Sequence, residues 1–189
     1  GCITTATRTI TVNPLPTPNA GADRTHTCFT PSTTIGTAAV AGTTYAWLPA
    51  SGLSASNIAQ PIANPVSTTT YTVTATITAT GCTATDAVIV TVNKTPPTAN
   101  AGTDKTNNCI TPSQAIGTAS IGGNTYAWSP SLGLSAANIA QPIANPASTT
   151  TYTVTVTNTT NGCTAFDAVV VTVDKTPPSA NAGADKTNN

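Results

Sequence analysis

From Tyr71 to Ala79 the chain alternates strictly. Tyr71, Val73, Ala75, Ile77 and Ala79 fall on one side, and Thr72, Thr74, Thr76 and Thr78 on the other. A period of two over that length predicts an antiparallel strand with one face in a core and one in water. Tyr152, Val154 and Val156 repeat the inward series. Each strand runs into a turn, Thr80-Gly81-Cys82 or Asn161-Gly162-Cys163, and Asn-Gly predicts a hairpin whose two central residues take positive φ. Asp86 to Val92 reads as the returning strand, apolar enough to predict cover on both faces. Thr44 to Trp47 predicts a strand with Tyr45 and Trp47 on one face, ended at Pro49. Thr34 to Val40 and Asn19 to Cys28 predict two earlier strands. Ile58 and Ile62 are expected to enter the core from short edge segments, with Pro61 and Pro65 blocking further pairing. No apolar period of 3.6 is sustained. About seven short strands per unit, separated by frequent turn signals, is the pattern of an all-β sandwich.

The pattern recurs along the chain. Cys28, Tyr45, Trp47, Tyr71 and Cys82 return as Cys109, Tyr126, Trp128, Tyr152 and Cys163, each displaced by 81 residues. Cys2 to Asn13 resembles Cys82 to Asn93, and Asn181 to Asn189 resembles Asn100 to Asn108. The expected organisation is therefore residues 1–13 as the last strand of a preceding repeat and 14–93 and 94–174 as two repeats. Residues 175–189 are then a linker and the first segment of a following repeat. Proline-bearing junctions at Asn13–Pro18, Asn93–Pro97 and Asp174–Pro178 predict stiff, extended connectors that keep neighbours in line.

Composition narrows the function. Six basic and six acidic residues, all of the latter Asp, leave no basic stripe for nucleic acid. Thr supplies about a quarter of the chain, which favours strands over disorder. No apolar run is long enough for a membrane helix. Units of about 80 residues gain only marginal stability from one core, so cross-links are expected. Each unit holds two cysteines, and disulfides Cys28–Cys82 and Cys109–Cys163 are expected in an oxidising compartment, with Cys2 left unpaired within this chain. The rival pairing runs across the junctions, Cys2 with Cys28 and Cys82 with Cys109.

Candidate chemistry is sparse. Asp23, Asp104 and Asp185 near the junctions, with Asp86 and Asp167 at the start of the last strands, are the calcium candidates. They are well spaced and lack a clustered run, so ordinary turn and strand-start roles are favoured and no metal or other cofactor is expected. His26 has Asn107 at its counterpart position, against a zinc site. Tyr45 and Trp47 could present an aromatic platform to sugars, but core packing is the stronger reading. Without Glu, and without a repeated base, neither a nucleophilic triad nor a glycosidase pair can be assembled, and no enzyme is expected. Asn93-Lys94-Thr95 and Asn158-Thr159-Thr160 match the glycosylation sequon, and the outward Thr rows could carry O-linked sugars.

The series NAGxDxT, Cys, TIGTA, TYAW, GLS, IAxPxANP, TTTYTVT, GC and DAVxVTV resembles the immunoglobulin-like and PKD-like repeats of giant bacterial cell-surface adhesins and gliding-motility proteins, including type IX-secreted proteins of Bacteroidota. The W-x-x-G-D-G stretch usual in PKD repeats is replaced by LPASGLS or SPSLGLS. The resemblance implies tandem immunoglobulin-like sandwiches forming a non-catalytic segment of an extracellular surface filament or adhesin stalk. Its partners would be neighbouring copies of the same repeat or subunit, and surface glycans. The alternative is a carbohydrate-binding or spacer module of a secreted polysaccharide-degrading enzyme.

Overall fold

The computed structural model describes residues 1–177, 179–181, 183 and 185. Pro178 of the third junction, and positions 182, 184 and 186–189 of the closing partial copy, lie outside the described residues. The chain divides into two compact units, Gly1–Lys94 and Thr95–Asn189.

In the first unit the strands are β1 (Arg24–His26), β2 (Thr33–Thr34), β3 (Thr43–Leu48), β4 (Ile62–Ala63), β5 (Thr69–Ile77) and β6 (Thr83–Val92). One sheet has the order β1-β6-β5-β3, and β2 pairs with β4 in a second. All neighbours are antiparallel except β1, which runs parallel to β6 with Arg24 opposite Val90 and His26 opposite Val92. The second unit repeats this layout with β7 (Lys105–Asn108), β8 (Gln114–Ala115), β9 (Asn124–Ser129), β10 (Ile143–Ala144), β11 (Thr150–Asn158) and β12 (Thr164–Asp174), in sheets β7-β12-β11-β9 and β8-β10. Among the described residues all regular structure is β, and each unit has six strands rather than about seven. Of the expected strand at Thr34–Val40 only Thr34 lies in a strand, the two-residue β2, and Val40 is exposed.

The alternation of β5 holds for Tyr71, Val73 and Ala75, whereas Ile77 is only half-buried and Ala79 is exposed beyond the end of the strand. Tyr71, Val73 and Ala75 are buried, and Tyr71 and Val73 pack with Trp47, Val88, Val90, Ile35 and Ala20 in the core of the unit. Each fully buried valine or isoleucine contributes about 1.5–3 kcal/mol, so this face holds the two sheets together. β6 departs from expectation. Val88 and Val90 face the core while Ile89 is half-exposed, so the strand is covered on one face only.

The segment before β5 reverses the expected burial. Ile58 and Ile62 are 43% and 51% exposed. Ala59 and Ala63, with Pro61 and Pro65, are the buried residues. The backbone of this segment comes very close to Gly36. Gly36 has φ +79°, its N–H donates to the Ala20 carbonyl at 2.8 Å, and a Cβ on it would strike the Ala59 carbonyl oxygen and lie 2.9 Å from Trp47 Cζ2. Prolines then serve as compact apolar cover on a stretch with little ladder to disturb.

The hairpins also differ from the two-residue form. β5 and β6 are joined through residues 78–82, with the Gly81 N–H donating to the Ile77 carbonyl at 2.8 Å. Only the glycine takes positive φ, at Gly81 and at Gly162, and Asn161 does not. Residues 1–13, expected as a strand, are exposed and in no strand, because no ladder partner lies against them among the described residues.

Candidate functional site

The cysteines depart most from the sequence reading. Cys28 and Cys163 are disulfide-bonded, whereas Cys2, Cys82 and Cys109 are free thiols. Neither Cys28–Cys82 nor Cys109–Cys163 forms, and neither does the rival set. The topology of each unit explains the first failure. Because β1 is parallel to β6, Cys28 lies beyond the Val92 end of β6, while Cys82 immediately precedes Thr83 at the other end. Ten strand residues intervene, or about 33 Å at about 3.3 Å each. A disulfide needs Cα atoms within about 7 Å. In the second unit Asn108 is opposite Asp174, so Cys109 and Cys163 stand at opposite ends of the 11-residue β12.

The acids are absorbed by the fold. Asp86 Oδ2 accepts the N–H of buried Ala20 at 2.7 Å, and Asp23 Oδ1 accepts the N–H of Ile89 at 2.8 Å. Asp167 and Asp104 do the same for Ala101 and Val170, at 2.8 and 2.9 Å. These pairs tie the segment around β1 or β7 to the last strand of its own unit. The signal was present in the sequence as an Asp recurring at a fixed distance after NAGxD, but only the parallel pairing shows what it does. Asp185 is exposed. Among the described residues no three His, Cys, Asp or Glu side chains are grouped as metal ligands.

Trp47 is buried and its Nε1–H donates to the Ile58 carbonyl at 2.9 Å, as Trp128 does to Ile139. Half-buried Tyr45 accepts the Val40 N–H at 3.0 Å through its hydroxyl. These aromatics are therefore core and loop anchors. Tyr71 and Tyr152, near the start of the fifth strand of each unit, donate to the carbonyls of Ser51 and Leu132, both at 2.8 Å. Burial raises both phenol pKa values, so the donor form is held. A buried Trp on the third strand is a feature of immunoglobulin-like sandwiches, and here a buried Tyr on the fifth strand reaches 20 residues back to the loop that follows that Trp.

His26 and Asn107 occupy one buried position in the two units. Asn107 Nδ2 donates to the Ala144 carbonyl at 3.1 Å. Both ring nitrogens of His26 lack a hydrogen-bond partner. Burial, followed by the charge of Lys94, lowers the His26 pKa. Sequence reasoning treated this histidine only as a rejected zinc ligand and missed its burial, which no local pattern marks. Of the sequon residues, Asn93 is exposed, and half-buried Asn158 accepts the N–H groups of Thr160 and Asn161 at 2.9 and 3.1 Å.

No protein-family model matches the sequence, and no curated relative is found. Solved structures similar to this chain include immunoglobulin domains 1–4 of Sidekick-1, at 15% identity and a TM-score of 0.41, covering 84% of this chain and 47% of that one. The titin I-band fragment I67–I69 is 12% identical at a TM-score of 0.42, covering 84% and 64%. Human protocadherin-24 EC1-2 is 11% identical at a TM-score of 0.39, covering 85% and 99%. The chain spans about half to two thirds of the length of the first two. The immunoglobulin-like assignment itself rests on the strand order and the Tyr and Trp geometry.

Proposed function

We propose that this chain is a structural, non-catalytic repeat segment of an extracellular filament or adhesin stalk of the bacterial cell-surface type, built from immunoglobulin-like units. One observation carries this reading. The polar framework recurs residue for residue in both units: Asp86 and Asp167, Asp23 and Asp104, Tyr45 and Tyr126, Tyr71 and Tyr152 make the same backbone bonds. These aspartates and tyrosines are engaged in holding backbone, and they are engaged identically in the two units. A spacer needs equal units, whereas a binding module keeps one specialised face. The bonded Cys28 and Cys163 suit an oxidising compartment, as a surface location provides. The proline junctions supply the stiffness an extended stalk requires. Neighbouring copies of the repeat are then its main partners, with surface glycans as further partners.

Negative-stain electron microscopy of the native surface material, labelled with an antibody to this chain, tests the reading. Thin fibres with a regular axial beat, labelled along their length, are the expected result. Compact labelled particles that bind polysaccharide would replace it with the binding-module alternative.

A further inference from the structure

We infer that Asn161 is a modification site whose chemistry the fold holds off. While its side-chain amide grips the Thr95 carbonyl it stays intact. Once that grip opens, Asn161 cyclises onto Gly162 and becomes aspartate or isoaspartate, neither of which grips again. The chemistry lies wholly in the second unit and is independent of the stalk reading.

Of the asparagines from Asn13 to Asn188, only Asn161 is followed by glycine. Glycine has no Cβ to hinder its nitrogen, so an Asn-Gly peptide closes readily into a five-membered succinimide. The backbone nitrogen of Gly162 attacks the Asn161 side-chain carbonyl carbon and gives up its proton. The amide nitrogen leaves as ammonia. Water then opens the ring at either carbonyl, and no oxidant or reductant takes part. Opening at one carbonyl gives aspartate. Opening at the other gives isoaspartate, which carries an extra methylene in the main chain.

The folded hairpin engages every group that this closure must free. The Gly162 N–H donates to the Asn158 carbonyl at 2.8 Å, which keeps the proton on the attacking nitrogen. Asn161 Nδ2, the leaving nitrogen, donates to the Thr95 carbonyl at 3.0 Å, and Oδ1 accepts the Cys163 N–H at 2.9 Å. Asn161 is 3% exposed, so the water that would open the ring is kept away. Thr95 lies 66 residues earlier, on the segment that leads to β7. That long-range contact is the gate, because a reaction of the open form runs at a rate set by the open population.

The product does not restore the contact. An aspartate carboxylate is an acceptor only, and so is the Thr95 carbonyl that it would face. Isoaspartate also lengthens the main chain between the Asn158 carbonyl and the Gly162 N–H, so the turn is lost with the grip. The first unit supplies the comparison. Its hairpin keeps the equivalent bond, from the Gly81 N–H to the Ile77 carbonyl at 2.8 Å. Thr80 stands there in place of Asn161, and threonine has no amide either to hold the leading segment or to cyclise.

The test uses the whole chain with Cys28 and Cys163 bonded, held at mildly alkaline pH with and without urea. Samples are digested with pepsin at low pH and read by mass spectrometry. Asn161 should convert at least about tenfold more slowly in the folded chain than in the unfolded one. Trypsin cleavage after Lys94, beside Thr95, reads the grip. Asn161→Asp should be cut there several-fold faster than the wild type. Asn161→Thr, which copies the hairpin of the first unit and covers the case in which Asn161→Asp fails to fold, should be cut as fast and show no conversion. In sub-denaturing urea, conversion and cleavage of the wild type should rise together. Conversion as fast in the folded chain as in the unfolded one would overturn the inference, as would equal cutting of the wild type and Asn161→Thr.

Discussion

The Tyr71 hydroxyl donates to the Ser51 carbonyl at 2.8 Å across 20 residues of chain, pinning the loop after β3 to the first turn of β5. Around it lie Pro65 and Gly52, whose missing side chain leaves room for the phenol oxygen. The bond does two things at once: it satisfies a phenol otherwise buried in the core, and it fixes where β5 begins.

Tyr71→Phe keeps the ring and removes the bond. The Ser51 carbonyl then loses its partner, and the expected cost is about 1–3 kcal/mol. Tyr152→Phe should cost the second unit a similar amount. Urea unfolding of each variant, read as a midpoint shift at unchanged slope, checks this.

Asp86→Ala should cost about 1–3 kcal/mol by leaving the N–H of buried Ala20 without an acceptor. Asp86→Asn, which retains a carbonyl oxygen, should recover part of that loss. Neither calcium nor a chelator should shift the melting temperature of the wild type, because these carboxylates hold backbone. A calcium-dependent rise that Asp86→Ala removes would reverse this account.

His26 gives the first unit an acid sensitivity that the second lacks. Its folded pKa lies below its ordinary value of 6.5, so the unfolded chain binds more protons at and below that pH. The contribution of neutral His26 is therefore fully present above pH 6.5 and is lost as pH falls through the lower folded value. His26→Asn, which copies the second unit, should flatten the stability of the chain between pH 7.5 and 5.5. Thermal melting at several pH values in that window decides it, and a wild-type profile no steeper than that of the variant would refute the assignment.

Gly36→Ala and Gly117→Ala are expected to be severe, each costing more than about 3 kcal/mol. Each puts a Cβ on a residue of positive φ and drives it into the carbonyl of Ala59 or Ala140, beside the Trp47 or Trp128 ring. Gly42→Ala shares the positive φ but has open space around it, so it should cost far less. Comparing the midpoints separates collision from backbone strain.

The sequence by itself determined the parts whose cause is local. Tyr71, Val73 and Ala75 had to share a face because the pleat alternates side chains whatever the partner, and the same rule placed Tyr45 and Trp47 together on β3. The two-copy organisation needed nothing more than the recurrence of the residues. What sequence left open was decided by pairing direction and close approach. Cys28 could have met Cys82 had β1 run antiparallel to β6, but the register Arg24–Val90 and His26–Val92 carries it to the far end of that strand. The hydrophobicity of Ile58 and Ile62 pointed inward. The packing instead buries Ala59, Ala63 and the neighbouring prolines, with Gly36 lying against the Ala59 backbone and the Trp47 ring. His26 was invisible as a core residue because burial belongs to the space between sheets and not to any period along the chain. Direction of pairing and free volume are properties of segments brought together from far apart, and no window of sequence contains them.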